Sequence, residues 1–432
     1  MHVKSEKILK LYIFIVLYSS VLKLFLGRWG TLVADIATIL TLFLSWEKQG
    51  YLQIKIDKTT RCLSALIFIT QVFAIFEVFH PNIHNRLYSI IEYRKSYFQV
   101  IALLAAYWAF KKTTGDVIVI LKYTANISLP IILYGIKQYF FWGDIDSRLL
   151  DMIDANFYTM YYGGHMRSVS IFSGPFHYGM FCAILFAIYV FLCCECAEKH
   201  TRRFYFICVC MTVVGAVCSI TRTSLICIFA CSSLWFIIFL KKKRNVSAVL
   251  IKLLIILTIV FSVFIIATGL LEFPLLHSNS SLGKMLNSLG NIGEDNRFVS
   301  RTVTWREGIE NIISSPIIGY GMGSAADTMS NYNISSVYIT SHSMFIKIFM
   351  EIGLIGGLIY LSIFVVSAER IIKKNKGSVT IKVLCLSLIS IIFLNGLVGS
   401  TIPSFPSMTL FWIISGVLLN SENDLTKIKG ND

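Results

Sequence analysis

Residues 271–341, LEFPLLHSNSSLGKMLNSLGNIGEDNRFVSRTVTWREGIENIISSPIIGYGMGSAADTMSNYNISSVYITS, form a polar, aromatic, arginine-bearing interruption in a chain otherwise built of long apolar runs. Irregular backbone exposed to lipid has no water to satisfy its N–H and C=O groups, so such a stretch must lie outside the hydrocarbon or line a protected cavity. The rest of the chain decides that a bilayer is the relevant solvent. Hydrophobic residues make up 56% and charged residues 15% of the sequence, and mean hydropathy is +0.70, where soluble domains carry about 25% charged residues.

Working outward from the interruption, apolar spans are predicted at 8–26, 30–46, 62–79, 97–110, 117–141, 175–194, 204–221, 224–240, 248–270, 343–366, 383–399 and 408–420. The reading is an all-α polytopic transmembrane bundle of about twelve spans, one integral membrane domain over residues 1–432. Its first outer region is 143–174, and its large extracytoplasmic loop is 271–341. The first span is longer than a signal-peptide core and lacks a small-residue cleavage site before Gly27, so it is expected to be retained.

With Met1 inside, the inner segments hold about twice the cations of the longer outer ones, including Lys241, Lys242, Lys243 and Arg244. Both termini are therefore expected in the cytoplasm. The net charge of +15 then needs no nucleic acid, because a basic face beside anionic lipid accounts for it. All eleven cysteines fall in spans or at their inner ends, as expected where no disulfide framework is used.

No Gly-rich phosphate loop, zincin helix or Gly-x-Ser-x-Gly elbow occurs, which argues against nucleotide-driven transport and serine hydrolysis. No metal site is expected. Cys193, Cys194, Cys196 and His200 lack a matched second pair, and the carboxylates of Asp144-Ile145-Asp146 suit a helix start. Arginine is the anomaly. Arg167, Arg222, Arg297, Arg301 and Arg306 map to the outer leaflet or beyond, where positive charge is not otherwise favoured. Guanidinium forks bind phosphate oxygens in pairs of hydrogen bonds, so several on one cavity would suit a diphosphate; alternatively they snorkel to headgroups or pair with carboxylates such as Glu307. His342, where the loop re-enters the membrane, can accept a proton from a hydroxyl or simply cap a helix. Lys347 and Glu351 follow at helical spacing, as an intrahelical pair facing the bundle interior.

These residues carry a resemblance. His342-Ser343, nine residues, then Gly353-Leu354-Ile355-Gly356 resembles the His-Asn/Ser-x9-Gly-x-x-Gly pattern of the O-antigen ligase and O-antigen polymerase (Wzy) superfamily. Arg301 to Trp305 followed by Ser315-Pro316-Ile317-Ile318-Gly319-Tyr320-Gly321 is similar to its Arg…Trp…Pro-Ile-x-Gly-x-Gly stretch. Ser219-Ile-Thr-Arg222 resembles its Ser-x-Ser-Arg turn, and Arg167…Phe172…Pro175-Phe-His177-Tyr-Gly179 its Arg…Phe…Pro-Asn…Gly segment. His177 stands where Asn is usual, and Gly357-Leu358 replaces a Thr-Thr frequent in ligases.

The resemblance implies a GT-C-like bundle in the bacterial inner membrane. It implies inverting, metal-independent glycosyl transfer without a cofactor, from an undecaprenyl-diphosphate-linked oligosaccharide to a second lipid-linked repeat unit. In that reaction His342, Arg222 and Arg301 would be catalytic. Arg167, Arg297, Arg306, His177, Tyr320 and Glu351 would bind substrate. Partners would be the lipid-linked donor and acceptor, membrane lipid, and a chain-length regulator and flippase, with no nucleic acid. Three other readings stay open: a ligase delivering the chain to lipid A-core, a twelve-span transporter or flippase using intramembrane charges such as Asp35 and Glu77, and a structural partner that regulates chain length.

Overall fold

The computed structural model describes residues 2–47, 58–111, 117–152, 160–162, 165–241, 296–326 and 334–420. Long apolar runs without water must close their hydrogen bonds internally, and they do so as helices. In chain order these are α1 (His2–Leu26), α2 (Gly30–Glu47), α3 (Lys58–Val78), α4 (Arg86–Ser96), α5 (Ile101–Lys111), α6 (Val117–Phe140) and α7 (Asp144–Met152). They continue as α8 (Pro175–Glu195), α9 (Lys199–Cys218), α10 (Arg222–Lys241), α11 (Asn296–Ser314), α12 (Met344–Lys374), α13 (Val379–Val398) and α14 (Ser407–Leu419). A two-residue antiparallel pair, β1 (Tyr161–Tyr162) with β2 (His165–Met166), is the β-structure among the described residues outside an isolated bridge between Ile83 and Ser335.

Among the described residues seven helices are long and apolar enough to cross a membrane, within α1, α3, α6, α8, α9, α12 and α13, and shorter apolar helices lie within α2, α10 and α14. The chain is thus an all-α integral membrane protein. The expected span at 97–110 is a short 3₁₀ turn, Phe98–Val100, running into α5. The expected span at 248–270 lies outside the described residues, as do 271–295 and 327–333 of the large loop. That loop is not irregular throughout, because α11 forms inside it.

Helix α8 is the axis of the bundle. Its apolar window is 89% buried, against 39% in α1, α3 and α9, so it faces protein on every side while α1, α3 and α9 turn Phe14, Phe68, Phe76 and Ile207 outward. A helix hydrophobic all round belongs in a core, and outward apolar side chains belong against lipid. Tyr178 in the first turn of α8 and Tyr189 in its second half each donate to a carbonyl of α6, Ile132 at 2.9 Å and Ala125 at 2.7 Å.

Helix α7 folds back on the end of α6 through one carboxylate. Asp146 is fully buried and accepts from Lys137 Nζ at 2.5 Å, Tyr134 Oη at 2.7 Å and the Gly143 amide at 2.7 Å. Burial raises its pKa, but the three donors outweigh burial and hold it below the ordinary carboxylate value. A depressed carboxylate stabilises the fold above its unfolded pKa, about 3.9, and loses that contribution as pH falls through the folded value. Asp146→Asn is therefore expected to lower the melting temperature at neutral pH. The gap from wild type should narrow in acid, as thermal melts of both proteins at pH 7 and about pH 3 would record.

Candidate functional site at one end of the bundle

One end of the bundle gathers the N-termini of α8, α10, α12 and α14 and the C-termini of α9 and α13, and hydrogen bonds tie them together. The turn between α9 and α10, Ser219-Ile220-Thr221, leads directly into Arg222. Ile220 sits there at φ 49°, a left-handed conformation that β-branched residues rarely adopt. Arg167 braces the turn, donating from Nε to the Ser219 carbonyl and from Nη2 to the Ile220 carbonyl, both at 3.1 Å. Those carbonyls end α9, where orphan acceptors and the negative end of the helix favour a cation. Beneath, the hydroxyls of Ser219, Thr221 and Ser224 form a string with 2.6 Å steps. Gly179 of α8 lies against all three, so that a Cβ there would collide with each of them. Two arginines are thereby brought to one turn, the second at the first residue of a helix, where the amides and the dipole favour an anion.

His342 lies two residues before α12 with φ 43°, in the left-handed region like Ile220 and Ser170 at this end. It is flanked by anchors. Ser341 Oγ donates to the Ala325 carbonyl and Ser343 Oγ to the Gly396 carbonyl of α13, each at 3.3 Å. Next to Gly396, Asn395 Nδ2 donates to Cys227 Sγ of α10 at 3.0 Å. Cys227 is five residues, about 7.5 Å of helix, from Arg222. His342 and Arg222 therefore share one end of the bundle, each on a segment tied to the C-terminal part of α13. His177 belongs to the same end: its Nδ1 is 2.7 Å from Ser404 Oγ, and its carbonyl accepts from Ser407 Oγ at 3.2 Å. Phe176 beside it packs on Gly399.

Two sequence motifs far apart in the chain turn out to be one crossing. Within α12 the backbone leaves helical geometry at Ile352 and Gly353, and residues 316–320 fill the gap. The Tyr320 amide donates to the Met350 carbonyl, and the Leu354 amide donates to the Pro316 carbonyl, both at 2.8 Å. The groups freed by the break are satisfied by the loop. The approach is backbone on backbone: a Cβ on Gly319 would lie 2.5 Å from the Met350 oxygen, and one on Gly353 would overlap the Ile317 carbonyl.

Helix α11 lies beside the first half of α12. Gly308 permits the contact, since a Cβ there would be 2.5 Å from Ile346, and Trp305, Ile312 and Tyr320 pack with Ile339, Ile346 and Met350. Because Gly308 meets Ile346, and the segment leaving the C-terminus of α11 at 316–320 meets Met350 and Leu354, α11 and this half of α12 run in the same direction. Arg301, half-buried and two turns before Gly308 on the same face, is therefore directed toward the His342 end. Arg306 is on the opposite, exposed face and pairs with Glu310 at 2.9 Å. Arg297 falls in the first turn of α11, and its side chain lies outside what the structure describes. Tyr320 is half-buried, with Oη 2.5 Å from Ser314 Oγ. Glu351 is fully buried and 2.6 Å from Lys347.

Sequence reading missed the packing glycines Gly319, Gly353 and Gly308 as a working set, and it missed Glu92 and Tyr97, both of which reach the Lys347–Glu351 pair. The glycines were visible as letters in the motifs. Their partnership was not.

The fold and these features define an integral membrane protein whose unusual charged and strained residues converge at one end of an apolar bundle. Residues 206–361 match the family model described as O-antigen ligase, which is consistent with a member of the O-antigen ligase/polymerase superfamily. Members of that family are glycosyltransferase-like enzymes of polysaccharide biosynthesis that use lipid-linked substrates in the membrane. The match runs from α9 to the middle of α12 and so contains Arg222, Arg301, Tyr320, His342 and Glu351. Arg167 and His177 lie before it. No curated protein matches the chain.

Proposed function

We propose that the protein is a surface-polysaccharide polymerase, joining undecaprenyl-diphosphate-linked oligosaccharide repeat units by inverting glycosyl transfer at the outer face of the inner membrane. The observation that carries this reading is the convergence at one end of the bundle of the Arg167–Arg222 turn, the inward face of Arg301, and His342. In the reaction, a hydroxyl of the acceptor sugar attacks the anomeric carbon of the donor from the side opposite the diphosphate. His342 accepts the hydroxyl proton as the new C–O bond forms. The bond between the anomeric carbon and the diphosphate oxygen breaks with its electron pair going to that oxygen, and Arg222 and Arg301 stabilise the charge gathering there. Arg167 holds the turn that aims Arg222. Such guanidinium donors can stabilise a leaving diphosphate without a metal, which the assay below tests directly.

The family description itself supports a second reading, a ligase that delivers the chain to lipid A-core. Polymer transfer to a lipid-linked repeat is preferred, because tyrosines in the outer regions, exposed Tyr161 and half-buried Tyr320 among them, offer rings and hydroxyls to a sugar repeat. Purified protein given only lipid-linked repeat units and a chelator is expected to make a ladder of polymer. Arg222→Ala should slow it by about 10²–10³-fold, the usual cost of one oriented donor to a developing anion. In cells the Arg222→Ala variant should leave lipopolysaccharide with core plus a single repeat. Unsubstituted core would instead establish the ligase, repeats trapped inside would establish a flippase, and an unchanged ladder would overturn the assignment of Arg222.

A further inference from the structure

Buried charge costs free energy unless it is paired, and a buried ion pair seldom adds net stability over apolar side chains of the same size. Where one persists, its geometry asks for a reason. Lys347 and Glu351 are both fully buried in the first half of α12, and Lys347 Nζ stands 2.6 Å from Glu351 Oε1 and 3.5 Å from Glu92 Oε2 of α4. Glu351 accepts in addition from Tyr97 Oη at 3.1 Å and from the Gly323 amide at 3.1 Å. Lys95, half-exposed, lies 3.7 Å from the other oxygen of Glu92. Two lysines thus face two carboxylates, and the set is electrically balanced.

The position of the set matters as much as its balance. It grips a piece of helix only eight residues long, 344–351, which follows His342 by two residues and ends at the non-helical Ile352 and Gly353. A short helix joined to its continuation by a non-helical glycine can swivel about that joint unless something holds it from the side. Glu92 does so from α4, and α4 is itself fixed at several points. Arg94 pairs with Asp35 of α2, Tyr93 Oη donates to Gln71 of α3 at 2.6 Å, and Ser89 Oγ donates to the Met322 carbonyl at 2.8 Å.

We infer that Glu92, Lys347 and Glu351 are positioning residues, a charged clamp by which the N-terminal part of the chain fixes the half-helix that presents His342 to its substrate. Glu92 lies outside the family match at 206–361, so the clamp joins the matched region to a part of the molecule that the match does not describe. Glu351 on this account orients the base and does not contact sugar. The kinetic consequence rests on the glycosyl transfer proposed above, whereas the structural one does not.

The test is Glu92→Gln in the full-length protein, with the neutral triple variant Glu92→Gln/Lys347→Met/Glu351→Gln as a second form that leaves no uncompensated buried charge. Hydrogen exchange should speed up across 344–351 and stay unchanged in α8. With lipid-linked repeat units, kcat should fall by about 10–100-fold, the scale of a misplacement near 1 Å, at unchanged KM. Unchanged exchange in both variants overturns the clamp, and so does faster exchange with wild-type kcat. Faster exchange in a protein whose wild type makes no polymer from any lipid-linked repeat leaves the clamp standing and removes the polymerase reading.

Discussion

On the polymerase reading proposed above, replacing His342 with asparagine is expected to abolish polymer formation while leaving the protein folded. The choice of asparagine follows from the backbone: His342 sits at φ 43°, and asparagine is among the few residues besides glycine that accept the left-handed region at little cost. Alanine would add strain to the loss of the imidazole and blur the two effects. Asparagine keeps a polar, planar side chain of similar reach to the first ring atoms but cannot take a proton. Positioned general bases contribute about 10²–10⁴-fold, so turnover of lipid-linked repeats should fall by that factor while substrate binding persists. Stopped reactions resolved on a polysaccharide gel, with a melt of the same preparation, decide the matter. A folded asparagine variant with wild-type turnover would remove His342 from the chemistry and leave it as a strained residue ahead of α12.

Much of this arrangement was legible in the sequence, and what was not has identifiable causes. Apolar runs declare themselves because lipid permits little else, so the all-α membrane bundle and most span positions could be read directly. Arg222 stood out as a charge where the positive-inside rule predicts none, and His342 as a titratable ring where the long loop re-enters an apolar run. Arg306 shows the limit of that argument. It shares its charge and its segment with Arg301, but five residues on a helix turn the side chain by about 140°, and only the formation of α11 reveals that the two face apart. The spacing Arg306…Glu310 was itself the available signal for an exposed intrahelical pair. Lys347 and Glu351 were readable as a pair for the same reason, at i and i+4. Their third partner, Glu92, is 255 residues away from Lys347 in the chain, and no local pattern announces a contact of that range. The break in α12 was hidden differently. Gly353-Leu354-Ile355-Gly356 reads as small residues on a helix face, and nothing in those four letters says that Gly353 has left the helix to admit another segment.

That break makes the strongest structural prediction. Gly353 adopts φ 65° and ψ 178°, a region open essentially to glycine alone and costing other residues about 1–3 kcal/mol. A methyl group there would also overlap the Ile317 carbonyl, a backbone atom that cannot rotate away, and forced contacts of this kind add about 1–3 kcal/mol. Gly353→Ala is therefore expected to lose about 2–6 kcal/mol, enough to unseat residues 316–320 from the gap in α12. Two consequences follow from losing that seat. The Met350 carbonyl and the Leu354 amide lose the partners that the loop supplies, and the half-helix bearing His342 loses its stop at the far end from Ser343. Gly356→Ala provides the comparison, since the atoms nearest a Cβ at 356 would be those of the Ile352 side chain at 3.1–3.3 Å, a mild crowding next to the backbone overlap at 353. Folded yield in detergent and the melting temperature should fall sharply for Gly353→Ala and little for Gly356→Ala, with polymer formation following the same order. Equal melts for the two variants would mean that the crossing does not hold the site, and the geometry that brings Arg301 toward His342 would lose its support.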